Sequence, residues 1–166
     1  MSIITDANFI GFYRVAKDPV DTVIINQFCD DNENSYILKL LGAELGQLVI
    51  TDLSGGNVPT DPLYQAIWLP FSFDWCGVVY ESKGVLDMLT GFLYFQIQTD
   101  AKLSLSQATG VTRLKTEVAQ SNNLVEAQIS ERWNRAVYTS RAIQAYICKN
   151  SGDYPLFNGQ EFKLSY

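Results

Sequence analysis

The chain has 166 residues, of which 47% are hydrophobic and 13% aromatic, and its formal net charge is −6. This length suits one domain with its own core, and the charged fraction of 18% is below the ~25% of typical soluble domains. The chain contains no histidine, which excludes Ser-His-Asp and Cys-His nucleophiles, His-ligated zinc and His acid–base relays within one chain.

The first quarter of the chain is predicted to be an arm followed by two short helices. Residues 1–20 have the composition of an irregular or extended arm. Asp21 is suited to cap a helix over Thr22–Phe28. A second helix is predicted over Asn34–Leu41, with Gly42 at its end.

The next elements are also short. Leucine and valine recur at helical spacing over Leu45–Leu53, and Gly55-Gly56 would end that helix. Pro62 suits the first position of a further helix over Leu63–Trp68. The aromatic-rich segment Phe71–Tyr80 is predicted to be extended.

The most hydrophobic helix is predicted over Lys83–Thr99, after a cap at Ser82. Gly91 lies inside it and costs about 1 kcal/mol relative to alanine, which predicts the close approach of another helix. Residues 100–121 are rich in Ser, Thr and Gln with alternating apolar positions, so we predict an extended hairpin between the two longest helices. A protruding hairpin of this kind can add a strand to a neighbour.

The last long helix is predicted over Asn122–Cys148, followed by an extended arm over 149–166. One helical stripe contains Val125, Ile129, Trp133, Ala136, Val137, Ile143 and Ile147. Four aromatics of the arm should dock either on their own domain or on a partner: Tyr154, Phe157, Phe162 and Tyr166. We therefore predict a mainly α fold, a helical bundle in a single domain over 1–166, with two arms and a hairpin insertion.

Candidate chemistry is sparse. Asp74 and Glu81 flank an aromatic-rich segment that could line a pocket, which leaves a small enzyme using carboxylates as an alternative. The acidic run Asp30, Asp31 and Glu33 lacks the spacing of an EF-hand loop and is interpreted as a solvated helix junction. No motif indicates a metal or a cofactor, so we expect none.

The three cysteines, Cys29, Cys76 and Cys148, form no CxxC pair. We interpret them as small buried hydrophobic residues in a reducing compartment. The first residues lack the pattern of a signal peptide, and no apolar run reaches the ~20 residues that span a bilayer. The expectation is a soluble protein without membrane contact.

The charge is unevenly distributed along the chain. Residues 1–80 carry ten acidic and three basic side chains, a net of −7, and residues 81–166 carry eight and nine, a net of +1. Such a division would suit a head-to-tail contact between copies, although from the charge pattern alone an ordinary solvated surface is the favoured interpretation. The overall negative charge argues against a protein that coats DNA.

Four stretches together carry a family resemblance: YILKLLGAELGQL (36–48), DPLYQAIWLPFSFD (61–74), ESKGVLDMLTGFLYFQIQTD (81–100) and RWNRAVYTSRAIQAYICKN with YPLFNG (132–150, 154–159). Their order resembles the small head-to-tail connector, or adaptor, proteins of phages that infect Bacteroidetes, including crAss-like phages. The similarity covers about 36–159, and residues 1–20 match nothing in that family.

The resemblance implies a structural virion protein of the head-to-tail neck, present in the host cytoplasm during assembly. Its copies would form a ring, typically of twelve, below the portal protein, extend the DNA channel and dock tail or further neck ring proteins. DNA would pass through without sequence-specific binding, and no catalytic residue is implied. A monomeric protein-binding module remains a further alternative. The residues predicted to form protein interfaces are Leu103, Leu105, Val111, Arg113, Leu114, Arg132, Arg135, Arg141, Tyr154, Phe157, Phe162 and Tyr166.

Overall fold

A computed structural model describes residues 3–14, 19–53, 56–109 and 117–165, with 19–21, 100–109 and 117–126 described as helical backbone only. Over these ranges the chain forms five α-helices and one two-stranded sheet. The helices are α1 (Pro19–Leu41), α2 (Ala43–Asp52), α3 (Pro62–Trp68), α4 (Val85–Thr109) and α5 (Glu117–Lys149), and the strands are β1 (Phe71–Trp75) and β2 (Val78–Ser82). The prediction of a mainly α protein is confirmed.

α1 is one continuous helix, so the prediction of two short helices with a solvated junction is wrong. Glu33 lies in its middle and is only 1% exposed. Its carboxylate accepts hydrogen bonds from the backbone N–H groups of Ile3 and Ile4, at 2.8 to 3.0 Å. The buried charge is therefore satisfied by a segment about thirty residues away in sequence, and no local pattern could indicate it.

α4 and α5 pack directly against each other in the core. Gly91 faces Ala136, and Phe95 packs on Trp133, so residue numbers rise along one helix as they fall along the other. The two helices are therefore antiparallel. A Cβ at Gly91 would come within 2.9 Å of the Ala136 Cβ, which confirms the predicted close approach.

The predicted stripe of α5 is confirmed where its side chains are described. Ile129, Ala136, Val137, Ile143 and Ile147 are all buried, and Trp133 packs against the same core. Val125 lies in the part described as backbone only. The stripe is therefore the core face of α5.

The predicted hairpin over 100–121 is wrong wherever the structure describes it. α4 continues as a helix to Thr109, and α5 already begins at Glu117. The alternation of Leu103 and Leu105 that favoured a strand thus falls on a helix. Residues 110–116 lie outside the described part.

A β-hairpin occupies the segment that was predicted as extended. Its strands are antiparallel and are joined by Cys76 and Gly77, both with positive φ, at 53° and 74°. This backbone is the one that two-residue hairpin turns require. Ser82 ends β2 rather than capping α4, and its hydroxyl accepts a hydrogen bond from the N–H of Gly84.

The residues at both ends of the described chain pack on the bundle. Residues 3–14, called here the N-terminal segment, contribute the buried side chains of Ile3, Ile4, Phe9 and Tyr13. Residues 150–165, called the tail, run along the end of α1. The N–H groups of Asn158 and Gln160 donate to the carbonyls of Leu41 and Lys39, at 3.1 and 2.7 Å, and so satisfy carbonyls that the helix end leaves open.

Candidate protein interface

Two of the predicted interface arginines hold the N-terminal segment of their own chain. The Arg132 Nε donates to the carbonyl of Phe12 at 2.7 Å, and its guanidinium lies 4.4 Å from the Phe12 ring centroid. Arg135 lies 3.1 Å from Asp87 and 5.1 Å from the same ring. The contacts that both arginines make here are therefore within their own chain. The Arg135 side chain remains 39% exposed.

Tyr13 also attaches the N-terminal segment to the rest of the protein. Its hydroxyl donates to Asp87 at 3.3 Å, and its ring lies beside Tyr94. Burial, followed by the nearby negative charge of Asp87, raises the pKa of Tyr13 above its ordinary value. The tyrosine is therefore a neutral hydrogen-bond donor that ties the N-terminal segment to α4.

The aromatics of the tail are core residues where they are described. Phe162 is 1% exposed and stacks on Phe92, with ring centroids 4.5 Å apart. Tyr154 is buried and donates its hydroxyl to the carbonyl of Leu63 at 2.8 Å, and Phe157 is partly buried. Tyr154 and Phe162 thus dock on their own domain, the first of the two predicted alternatives, and their burial corrects their assignment to a partner interface. Tyr166 lies outside the described residues.

The remaining predicted interface residues divide into three groups. Arg141 is exposed on α5, one turn after Tyr138, which is 59% exposed. Leu103 and Leu105 lie on the helical backbone near the end of α4. Val111, Arg113 and Leu114 lie outside the described residues.

The predicted carboxylate pocket does not form. Asp74 and Glu81 both point to the outer, exposed face of the β-hairpin, because they lie on alternate positions opposite Val79 and Ser72. The aromatic side chains Phe71, Phe73, Trp75 and Tyr80 lie on the other face; among them, Phe71 and Phe73 contact Tyr146 of α5. Carboxylates and aromatics are therefore on opposite faces of the sheet.

An open groove of about 680 Å³ runs beside α5. Glu81 and Lys83 form one wall, and Glu131, Arg135 and Tyr138 line the other. Two acidic and two basic side chains thus face each other across it. The groove lies between Arg135, one of the two arginines that contact Phe12, and Glu81 of the hairpin's outer face.

The cysteine prediction holds only in part. Cys29 is buried in α1, and burial, followed by the charges of Glu33 and Asp6, raises the pKa of its thiol to about 12. Cys76 and Cys148 are exposed. Cys76 is exposed because it occupies the tip of the β-hairpin, a position that the aromatic pattern alone did not reveal.

The sequence reasoning missed Glu33 and Gln144. The Gln144 Nε2 donates to the carbonyls of Leu40 and Gln160, both at 3.0 Å, and so joins α5, α1 and the tail. Neither residue belongs to a motif, and their partners are distant in sequence. No sequence signal available from one chain could have identified them.

Among the described residues, no group of three or more Cys, Asp or Glu side chains is arranged to hold a metal ion. In the same part of the chain, no helix is long and apolar enough to cross a bilayer. Comparison of the chain with protein-family models, with curated proteins and with solved structures finds no match.

Proposed function

We propose that the protein is a structural virion component that forms a ring in the head-to-tail connector of a tailed phage, below the portal. The family resemblance of the sequence supplies this identity. Within the chain, the observation that carries the proposal is the length of the α4–α5 pair.

α5 has 33 residues, which corresponds to about 50 Å at 1.5 Å per residue. A compact domain of 166 residues has a diameter of about 40 Å. The buried side chains of the two helices come from 85–94 on α4 and 129–147 on α5, among the positions whose side chains are described. Both helices continue well past these core positions, toward the segment that joins them. We propose that these two stretches project from the core as a pair and let each copy reach a neighbour or the portal.

The surface of a single copy also leaves apolar side chains uncovered. Ile10 is 69% exposed and Val79 is 67% exposed, and both are large aliphatic residues that usually lie inside. Their exposure is consistent with a protein that completes its surface by contact with other subunits. Each copy would then gain stability from assembly by mass action.

The direct test is the mass of the purified protein, alone and mixed with the candidate portal, by light scattering coupled to size exclusion. The proposal expects a ring mass or a stoichiometric complex with the portal. A strict monomer that ignores the portal at every protein concentration would contradict the proposal.

A shortened variant tests the role of the projection. Deleting 103–109 together with 117–123 removes seven residues, about two turns, from each helix and leaves the core positions in place. We expect a folded chain that no longer assembles or binds the portal. Unimpaired assembly by a folded variant would show that the projection is not the gripping element.

A further inference from the structure

The N-terminal segment is bound to the helices much as a separate peptide would be. The backbone N–H groups of Ile3 and Ile4 donate to the Glu33 carboxylate, at 2.8 to 3.0 Å, and that of Asp6 donates to the Asn26 Oδ1 at 2.7 Å. The side chains of Ile3 and Ile4 are buried. Polar side chains of α1 thus hold this end of the segment by its backbone.

The other end of the segment is held by α4 and α5. The carbonyl of Phe12 accepts from the Arg132 Nε at 2.7 Å, and the Tyr13 hydroxyl donates to Asp87 at 3.3 Å. The hydrogen-bonded residues on the segment and on the three helices lie 20 to 120 positions apart in sequence. Each contact joins the segment to a helix, so the same site would bind the segment of a second copy through the same atoms.

Residues 15–18 connect the segment to α1. From Arg14 to Pro19 this connection spans at most about 17 Å, at about 3.4 Å per residue. A copy whose α1 begins within that distance of the site on a neighbour can place its segment there. Such an exchange keeps every contact named above, which makes it a low-cost route to an oligomer.

Large apolar side chains are exposed on both sides of this connection. Ile10, 69% exposed, and Phe12 precede it, and Val23 and Ile24, 67% and 60% exposed, follow it. Side chains of this kind usually lie inside. After exchange, Ile10 and Phe12 would lie on the receiving copy and Val23 and Ile24 on the donor, near one another because the connection is short. The exposed apolar groups are therefore placed where exchange creates a new contact between copies.

We infer that the N-terminal segment is exchanged between copies of the chain. In an isolated copy the segment occupies its own site, and in the assembled protein it occupies the site on α1, α4 and α5 of the next copy. The partner is a second copy because the site fits this segment and because exchange covers the apolar side chains beside the connection.

Segment and site are different surfaces, so each copy gives a segment to one neighbour and receives one from the other. A contact of this heterologous kind can close a ring. The inference rests on the proposed function, since it assigns the contact between subunits of the ring.

Photo-crosslinking in the full chain tests the exchange. The photoreactive analogue benzoylphenylalanine replaces Phe12, whose ring centroid lies 4.4 Å from the Arg132 guanidinium. This chain is mixed, while both are dilute and monomeric, with an equal amount of isotopically heavy original chain, and the mixture is then assembled and irradiated. We expect crosslinks that join the light segment to the heavy stretch of α5 around Arg132, identified by mass spectrometry. Irradiation of the dilute monomer should instead give crosslinks within one chain.

Three results of this experiment overturn the inference. They are an assembled sample whose crosslinks all stay within one chain, crosslinks between chains that map elsewhere than this stretch of α5, and a sample without any crosslink from position 12.

Two substitutions beside the connection give a second measurement. Val23→Ser and Ile24→Ser are each expected to weaken assembly about tenfold, measured by sedimentation velocity, because each removes apolar surface from the new contact. Leu48→Ser and Leu156→Ser are the matched controls, because both leucines are exposed elsewhere. Each control should shift assembly by less than about threefold. If Val23→Ser and Ile24→Ser behave like the controls, the inferred contact is overturned.

The outcomes separate the inference from the proposed function. A ring that binds the portal while its segments stay within their own chains overturns the inference and leaves the function standing. Exchanged dimers that form no ring and ignore the portal support the exchange and contradict the function. A chain that stays monomeric with and without the portal overturns both.

Discussion

Gly91 marks the closest contact between the two longest helices. A methyl group added there would lie 2.9 Å from the Ala136 Cβ and 3.2 Å from the carbonyl oxygen of Arg132. Both atoms belong to α5, and neither is the far end of a flexible side chain that could move aside. The helices would have to separate to accommodate even the smallest side chain.

Gly91→Ala is therefore expected to destabilise the protein by about 1–3 kcal/mol, although alanine gains about 1 kcal/mol of helix propensity over glycine. Urea unfolding followed by circular dichroism measures the difference. Gly152→Ala is the matched control, because a Cβ there meets nothing within 4 Å. A stabilised Gly91→Ala variant would show that α4 and α5 are not packed as described.

Glu33 is the second residue whose contribution can be isolated. Its carboxylate accepts from two successive backbone N–H groups of the N-terminal segment, and charge-assisted hydrogen bonds are the stronger ones. Glu33→Gln retains the shape and removes the charge.

For Glu33→Gln we expect a loss of about 1–3 kcal/mol in the free energy of unfolding. Amide hydrogen exchange at Ile3 and Ile4 should accelerate, since glutamine keeps only one acceptor oxygen, places an NH2 donor at the position of the other, and removes the charge that strengthens these hydrogen bonds. Asp31→Asn, an exposed carboxylate on the same helix, should leave that exchange unchanged. Unchanged exchange in Glu33→Gln would mean that the N-terminal segment is held by other contacts alone.

Among the secondary-structure elements, the sequence predicted correctly those helices whose ends or buried faces are marked by nearby residues. Pro62 begins α3 as expected, and the carboxylate of Asp61, which precedes it, accepts a hydrogen bond from the N–H of Leu63. The apolar stripe of α5 and the position of Gly91 inside α4 were also predicted correctly, because the helical period of 3.6 residues is visible in neighbouring positions of the sequence.

The errors arose where distant residues decide the local structure. The polar residues in α1 were predicted to form a solvated junction between two helices. The sequence around Glu33 does not show that its carboxylate is buried against the backbone of Ile3, thirty residues away. Leu103 and Leu105 alternate as a strand would, yet the helix continues through them. At the candidate interface, the uneven charge of the two halves of the chain did not indicate that Glu81 and Arg135, both in the second half, line one groove; the fold brings them together.

The connection between α2 and α3 depends on one exposed carboxylate. Asp52 accepts hydrogen bonds from the N–H of Asp61 and from the hydroxyl and N–H of Thr60. These bonds, the one from Asp61 first, lower the pKa of Asp52 below its ordinary value of 3.8.

Because the folded pKa lies below the unfolded one, the contribution of Asp52 to stability is complete above pH 3.8 and is lost as the pH falls through the folded pKa. Denaturant unfolding from about pH 6 to about pH 2 should show the gap between the original chain and Asp52→Asn closing in that acidic range. Thr60→Val, which keeps the carboxylate and removes one donor, should give an intermediate gap. A gap independent of pH would refute the assignment.

For the whole molecule, the tail is part of the core rather than an appendage. Phe162 stacks on Phe92 and lies near Tyr36, with the Lys39 Nζ 4.7 Å from its ring centroid. Tyr36 and Lys39 come from α1 and Phe92 from α4, so one tail residue joins both helices.

Phe162→Ala is expected to cost about 3–5 kcal/mol, a large part of the stability of an ordinary domain. Thermal and urea unfolding measure this loss. Leu156→Ala, an exposed apolar residue of the same tail, should change stability by less than about 0.5 kcal/mol. If the alanine variant unfolds outright, Phe162→Leu should fold with a smaller loss, and an unaffected Phe162→Ala would show that the tail does not complete the core.

The bridge made by Gln144 between Leu40 and Gln160 also bears on how the protein is made. The end of α1 is synthesised long before the residues that satisfy its carbonyls, which are separated from it by 104 positions in the case of Gln144. A nascent chain that has left the ribosome only as far as α4 therefore has α1 without its final cap and without Phe162. Contacts between residues so far apart in sequence form late. Most of this chain must therefore be synthesised before its native core can form.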